Sequence, residues 1–335
     1  MRASVVIPAY NAEKLLPECL KSLSDQTVPR DDYEIIVVDD GSTDSTAGTA
    51  VKCDGVRVVR QKNQGPAAAR NQGARMAKAD IILFTDSDCV PERDWVERML
   101  EPFDGDPKLA GDKGRYLTSQ RELAARFVQA EYQDKYRLLE KHREIDFIDT
   151  YSAGFRRDTF LRYGGYDTSF PVACAEDVEL SFRMSNGGEK MVYVPKAVVY
   201  HRHPNSWPAY FLKKYKFAYW RMLAVRKNPN KAIKDSHTPQ LMKLQLLLAP
   251  FALAALAAGI FISPLLWLAA VMAALFLVSS LPFALREGKR DTAVGLAAPA
   301  ALYMRALYQF AGVAVGSLDL FLLGRHDRTV GADSL

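Results

Sequence analysis

Residues 79–95 read ADIILFTDSDCVPERDW. Four apolar residues, Ile81, Ile82, Leu83 and Phe84, run straight into two aspartates at alternate positions, Asp86 and Asp88. A continuous apolar run followed by turn formers reads as a strand buried on both faces. Residues two apart in an extended chain point the same way, so both carboxylates leave the sheet edge together.

Working outward, the spacing predicts strands over Ser4–Pro8, Glu34–Val38, Val56–Arg60 and Ile81–Thr85. Helices are expected over Glu13–Leu23, Ser45–Cys53, Pro66–Lys78 and Arg93–Phe103. Strands alternating with helices argue for an α/β fold, a mostly parallel, Rossmann-like sheet with helices on both faces. Ligands of such sheets bind outside the carboxyl ends of the strands. Those ends carry PAYN (Pro8–Asn11), DDGSTD (Asp39–Asp44) and DSD (Asp86–Asp88). Paired carboxylates at this edge suit a hard cation, Mg²⁺ or Mn²⁺, which bridges them to substrate phosphates. The plainer reading is a solvated turn with acidic caps; the position after a buried strand, with two other polar loops in order, favours the metal.

Across 335 residues the formal net charge is +5, too modest to imply nucleic-acid binding. Four cysteines (Cys19, Cys53, Cys89 and Cys174) lie far apart with no CxxC. That spacing argues against a disulfide framework or zinc site and for reduced, cytosolic thiols. Cys89 reads as a small buried residue. The start, MRASVVIPAYN, lacks the apolar core of a signal peptide and reads as the first strand.

Leu244–Ile262 and Leu265–Leu285 carry no charge. Each is long enough to cross a hydrocarbon core of about 30 Å. Only Ser263 and Pro264 separate them, which predicts a tight transmembrane hairpin. Lys227, Lys231, Lys234 and Lys243 precede it, and Arg286, Lys289 and Arg290 follow. Basic flanks stay inside, so both ends and the N-terminal domain are expected on the cytoplasmic side of a multi-pass membrane protein.

A third apolar stretch, Ala293–Leu323, contains Arg305 and Asp319. Each charge costs up to about 2.5–3.5 kcal/mol at a span's centre, nearly cancelling about 0.3–0.6 kcal/mol from each large apolar residue. An interfacial or re-entrant segment is expected, and Arg325 and Arg328 keep the tail inside. Upstream, NSWPAYFLKKYKFAYWRMLAVRK places Trp207, Tyr210, Phe211, Tyr215, Ala218 and Met222 at helical spacing among Lys213, Lys214, Lys216 and Arg221. This pattern predicts an amphipathic helix in the headgroup layer, its alternative being an ordinary packed helix. Its lysines could also neutralise a phosphate-bearing substrate. The expected organisation is a catalytic domain over 1–204, an interfacial helix and linker over 205–243, the hairpin over 244–285, and the third apolar segment with its tail over 286–335.

VVIPAYN, IIVVDDGSTDST, NQGPAAARNQGARMAKADIILFTDSD, YSAGFRRDTFLRYGGYDTSF and AEDVELSFRMSNGG stand in order along the first two hundred residues. In this order they resemble glycosyltransferase family 2, whose members have the GT-A fold and invert the anomeric centre. The resemblance implies that Pro8, Tyr10 and Asn11 line the nucleotide pocket, that Asp39 accepts a hydrogen bond from the base, and that Arg70 lies beside base or ribose. It implies Asp86 near ribose and metal, Asp88 as main metal ligand, and Asp177 as catalytic base with Glu176 beside it. Glu176 and Glu179 compete for the base, and all three acids also suit a helix N-terminus. Gly154 and Gly165 would shape the acceptor wall, with Lys213, Lys214 and Trp220 near acceptor or diphosphate. His201, in VVYHRHPNSW, is a candidate for the metal or diphosphate; a surface histidine is its alternative.

The chain lacks the QxxRW motif of processive cellulose-synthase-like members, having KYKFAYW in a loosely similar place. The implied reaction moves a sugar from a nucleotide-sugar donor to a lipid-linked acceptor at the membrane, in cell-envelope glycan or glycolipid synthesis. Alternatives are a polyprenyl-phosphate sugar synthase, a catalytically silent membrane scaffold, and a phosphohydrolase of the haloacid-dehalogenase type. In that last type the first aspartate of a DxD ends the first strand, whereas here the motif ends the fourth.

Overall fold

A computed structural model describes residues 1–170, 174–231 and 239–324. Lys234, Arg325 and Arg328, counted above among the basic flanks, lie outside the described residues. The strands are β1 (Ala3–Ala9), β2 (Tyr33–Asp39), β3 (Val56–Arg60), β4 (Ile81–Phe84), β5 (Val90–Pro91), β6 (Leu109–Leu117), β7 (Ala153–Arg156) and β8 (Lys190–Tyr200). They form one sheet in the order β3-β2-β1-β4-β7-β6-β8-β5.

β1 pairs parallel with β2 and β4, and β2 with β3, as the alternating pattern requires. Past β4 the sheet is mixed: β7 runs antiparallel to β4 and β6, while β6 and β8 are parallel and β5 closes antiparallel on β8. A mostly parallel sheet therefore describes only its first half. Along β1, Val5 and Ile7 enter one core and Val6 the other. Both faces are covered, which is why the strand is apolar throughout.

The first crossovers hold α1 (Leu16–Ser24), α2 (Thr46–Val51), α3 (Pro66–Met76) and α4 (Trp95–Gly105). α3 lies so close to the sheet that a Cβ on Gly73 would sit 2.2 Å from Val6 Cγ1. α5 (Leu123–Leu139), α6 (Arg157–Arg162) and α7 (Glu176–Asn186) complete the domain.

Four long helices follow: α8 (Trp207–Lys227), α9 (Gln240–Gly259), α10 (Pro264–Gly288) and α11 (Thr292–Ser317). Among the described residues, α9 and α10 are long and apolar enough to cross a membrane, and only 28% of the tested stretch of each is buried within the protein. A core helix of a soluble domain would be mostly buried. Around the α9–α10 turn, Phe261 is 88% and Trp267 79% exposed.

α11 is one uninterrupted helix, with no re-entrant break, and Asp291 caps it by accepting from Val294 N–H at 3.2 Å. Its arginine does not face lipid: Arg305 is buried, bonding Glu131 of α5 at 2.5 Å and Gln245 of α9 at 2.7 Å. The cost of a lipid-facing charge therefore does not apply to it. α5 also meets the α10–α11 corner through Arg126–Asp291, Arg137–Glu287 and Asp134–Arg286 ion pairs. α8 is a packed helix. Tyr210, Tyr219 and Trp220 are buried, Trp207 meets Phe127 edge-on at 5.5 Å, and Phe211 stacks on Tyr308 at 5.4 Å. Protein contacts take up the aromatic spacing that predicted a headgroup-facing stripe.

Candidate active site

The strand ends assemble the site. β1 stops where Ala9 lies opposite Asp39, and the two loops that follow are stitched together. Asn11 N–H donates to Ser42 Oγ at 3.0 Å, and Thr43 N–H donates to Asn11 Oδ1 at 2.9 Å. Asn11 holds a φ of 49°, a left-handed conformation that asparagine tolerates better than most residues. Tyr10 beside it is 51% exposed, while Pro8 is buried in the strand opposite Val38.

Asp39 is fully buried and accepts from Ser42 N–H and Arg60 Nε–H, each at 2.9 Å. Asp40 accepts from Gln61 Nε2 at 2.8 Å, Gln64 N–H at 2.9 Å and Gly65 N–H at 2.8 Å. Between these loops opens a shallow cavity of about 510 Å³ bordered by Gly41, Ser42, Arg60 and Asn63. Gly41 has a φ of 77°, and a Cβ there would meet Asn63 N at 2.7 Å. Only glycine fits that turn.

Past β4, Asp86 accepts from Arg70 Nη2 at 2.6 Å, and Arg70 Nη1 reaches Glu176 Oε1 at 3.1 Å. Arg70 is 1% exposed. Its guanidinium thus ties the β4 loop to the start of α7. Glu176 also accepts from Cys174 N–H at 2.8 Å, so both its oxygens are committed. Asp177, one residue on, is half-buried and lines a second cavity. Burial, then the nearby Glu176 and Asp149 carboxylates, push its pKa well above the usual carboxylate range. A carboxylate so placed is a stronger proton acceptor than one in water.

Antiparallel pairing of Val90 with Tyr200 brings the end of β8 back to the DSD loop. His201 Nε2 lies 3.6 Å from Asp88 Oδ2, and Asp88, Cys89 and His201 each offer one ligand atom within 4.8 Å of the others. His201 Nδ1 is buried with no hydrogen-bond partner among the described residues. Burial, and then Lys213, push the imidazole down to about 3, so it is neutral and able to ligate. A carboxylate and a neutral imidazole fit a divalent ion.

The second cavity, of about 520 Å³, runs from Asp86, Glu176 and Asp177 to the apolar side chains of Met222, Leu246 and Val313. Lys214 lines it and pairs with Glu131 at 2.9 Å. Lys213 lies electrostatically close to Asp88 and Asp86. Trp220 sits instead in a buried apolar cluster, edge-on to Phe170 at 6.4 Å. Gly154 is inside the sheet, where a Cβ would meet Asp112 Oδ1 at 2.1 Å. Gly165 has a φ of 71° and backs onto Asn71, whose side chain holds Tyr166 N–H at 2.8 Å and its carbonyl at 2.7 Å. Glu179 pairs with Arg183 on its own helix.

Sequence reasoning missed Tyr116, Tyr132, Lys135 and Asp149, all of which line the second cavity. Asp149 is ion-paired with the buried Lys113. The available signal was Lys135 standing between Tyr132 and Tyr136 on α5.

Fold and site together define an α/β domain with an acidic, metal-competent edge. Residues 4–164 match the profile of Glycosyl transferase family 2. The "Probable glycosyltransferase YdaM" of Bacillus subtilis (strain 168) is 28% identical over 240 residues, 68% of this chain and 56% of that protein. The "Poly(ribitol-phosphate) beta-glucosyltransferase" of Bacillus spizizenii is 48% identical over 94 residues, 26% of this chain and 15% of that protein. The chain thus spans little more than half of the first relative's length and far less of the second's. A solved mannosyltransferase, PcManGT from Pyrobaculum calidifontis, in complex with GDP-Man and Mn²⁺, superposes with a TM-score of 0.61 at 22% identity, covering 95% of this chain and 87% of that one. That likeness establishes a shared, GT-A-like fold. The N-terminal domain belongs to glycosyltransferase family 2.

Proposed function

We propose that the protein transfers a sugar from a nucleotide-sugar donor to a hydroxyl of a lipid-linked acceptor at the cytoplasmic face of a membrane, in the synthesis of a cell-envelope glycan or glycolipid. The observation that carries this reading is the second cavity, which joins the Asp86–Asp177 carboxylates to the apolar side chains of α8, α9 and α11. A soluble acceptor needs no such path. The donor's nucleotide occupies the β1 and β2 loops, with Tyr10 against the base, Asn11 and Pro8 shaping the pocket and Asp39 accepting from the base. Arg70 acts as a positioning residue, aligning Asp86 with Glu176.

Asp88 and His201, with Asp86, would hold a divalent ion, Mg²⁺ or Mn²⁺, and when bound it would supply Lewis-acid stabilisation of the charge on the departing nucleoside diphosphate. Asp177 takes the proton of the acceptor hydroxyl as its oxygen attacks the anomeric carbon. The nucleoside diphosphate leaves from the opposite face, inverting the centre. α9 and α10 cross the membrane as a hairpin with both ends cytoplasmic. Their α10–α11 corner rests on α5 through ion pairs, and in this reading the cavity mouth lies at the bilayer surface.

The test is nucleoside diphosphate release by detergent-solubilised protein across UDP-, GDP- and dTDP-sugars, with Mn²⁺ or chelator and with or without membrane lipid. Metal-dependent release of one nucleotide, raised by lipid, is expected. Release indifferent to lipid would move the acceptor off the membrane, and no release or nucleotide binding by folded protein would favour a silent scaffold.

A further inference from the structure

The turn between β4 and β5 carries a thiol that the transfer reaction does not use. Cys89 N–H donates to Asp86 O at 3.0 Å, which closes the turn and sets Cys89 immediately before Val90. Val90 pairs antiparallel with Tyr200, and the same register places Cys89 opposite His201. His201 is anchored in turn, its N–H donating to Leu117 O at the end of β6 at 2.9 Å. Opposed residues of an antiparallel pair are side-chain neighbours. A carboxylate, a thiol and an imidazole therefore meet from two separate strand ends, with no trace of a metal motif in their spacing.

Their distances suit a tetrahedral ion. Asp88 turns Oδ2 to His201 Nε2 at 3.6 Å and Oδ1 to Cys89 Sγ at 3.9 Å. Bonds of about 2.0–2.1 Å to nitrogen and oxygen and about 2.3 Å to sulfur set tetrahedral ligand atoms about 3.4–3.6 Å apart. Both observed separations are slightly longer. All three ligand atoms lie within 4.8 Å of one another, so a small closing movement fills three corners and leaves the fourth open.

The imidazole points to a ligand independently. Its side chain is 6% exposed, and Nδ1 has no hydrogen-bond partner among the described residues. At 3.6 Å, Nε2 is too far from Asp88 for a hydrogen bond. Buried polar groups are ordinarily partnered. Ring contacts with Tyr151 at 4.4 Å and Tyr116 at 5.9 Å pack the imidazole in place. Oxygen donors alone suit Mg²⁺ and Mn²⁺, whereas imidazole with thiolate selects ions of the zinc class.

We propose that Cys89, His201 and Asp88 form a site selective for a borderline-soft divalent ion of the Zn²⁺ class, and that such an ion, once seated, excludes the hard ion that the donor's diphosphate needs. The thiol proton passes to solvent as the metal–sulfur bond forms. The exclusion rests on the transferase reading of Asp88 as a ligand of the hard ion; the site itself rests only on the three donors.

Full-length reduced protein in detergent is titrated with Co²⁺, a spectroscopic substitute for Zn²⁺, and calorimetrically with Zn²⁺ and Mn²⁺. A sulfur-to-cobalt charge-transfer band is expected in the near ultraviolet, bleached by equimolar Zn²⁺. Cys89→Ser should abolish the band and lower the Zn²⁺-to-Mn²⁺ affinity ratio about tenfold or more, because the soft donor is lost. Cys89→Ala, which buries no hydroxyl, should do the same. Cys19 on α1, whose thiol donates to Asp86 O at 3.6 Å, lies outside the donor set, so Cys19→Ser should keep the band.

No band in the unmodified protein overturns the proposal. A band that survives both Cys89 substitutions assigns the thiolate to another cysteine and overturns it too, as does an unchanged affinity ratio. Mn²⁺-dependent binding of UDP, GDP or dTDP, read on the same unmodified preparation, separates the two readings. Zn²⁺ should suppress that binding, and indifference to Zn²⁺ would overturn the exclusion. Nucleotide binding without a cobalt band sinks only the soft-ion site, whereas a cobalt band without nucleotide binding sinks the transferase and leaves the site.

Discussion

The two cavities of the site are built in opposite ways. The shallow one, beside Asp39 and Asp40, is made by consecutive βα loops, so the hydrogen bonds that shape it join residues 3 to 32 positions apart. The deep one is made by α5, α7, α8, α9 and α11 together with the segment before β7. A loop at a strand end is positioned by the sheet alone. A chamber between helices exists only if every helix docks, which ties its integrity to long-range ion pairs. The first arrangement suits a fixed ligand such as a nucleotide, and the second suits an acceptor that must enter from the side.

Separating the two cavities gives the largest effect. Asp177→Asn should lower turnover by about 10²–10⁴-fold, the usual worth of a general base, with nucleotide binding unchanged. Near-normal turnover would return the base to Glu176 or Glu179. The seam between the halves comes next. Arg70→Met leaves Asp86 and Glu176 facing each other without their shared cation, and breaking a buried pair costs about 3–5 kcal/mol. Denaturant unfolding should register that loss. If stability is unchanged, Arg70 serves the ligand and not the seam.

Arg305→Met strips the buried Glu131 of one of its two cations, with Lys214 still in place, so a smaller loss than for Arg70 is expected. It should fall on the melting of the helical part, and a thermal unfolding profile would reveal it. Gly316→Ala is smaller again. A Cβ there would lie 2.7 Å from Tyr219 O, so α8 and α11 must separate. Overpacking of this kind costs about 1–3 kcal/mol.

The subtlest effect is on pH. As the proposed base Asp177 must be deprotonated to act, and its pKa is raised by burial, by Glu176 on its own helix and by Asp149, with Arg70 from α3 opposing them. Activity should therefore fall as pH drops through a value above the ordinary carboxylate range. Asp149→Asn removes one raising charge and should shift this acid limb of kcat/KM downward. A limb that stays in place would show that Asp149 does not act on the base.

Much of this architecture is legible from local pattern. The four parallel strands and their crossover helices fall within a few residues of their expected positions, because a strand buried on both faces must be apolar throughout. The uncharged runs that became α9 and α10 are equally plain. Less legible was α8, since aromatic spacing on a helix reports which side is covered but not whether lipid or protein covers it. The same limit applies to α11, whose arginine is costly by sequence alone and is compensated by Glu131 from 174 residues away.

The sequence by itself determined the first four strands, the three polar loops at their carboxyl ends and the two apolar helices. Periodicity and turn chemistry are local properties, and they need no partner. Tertiary structure alone decided that His201 returns to Asp88, through the pairing of Val90 with Tyr200. It alone decided that Arg70 spans 106 residues to reach Glu176, that Arg305 spans 174 to reach Glu131, and that cations from three helices meet around one chamber. Contacts at such separations leave no periodic trace in the chain, because a side chain's spacing fixes the face it occupies and only packing fixes what it meets there.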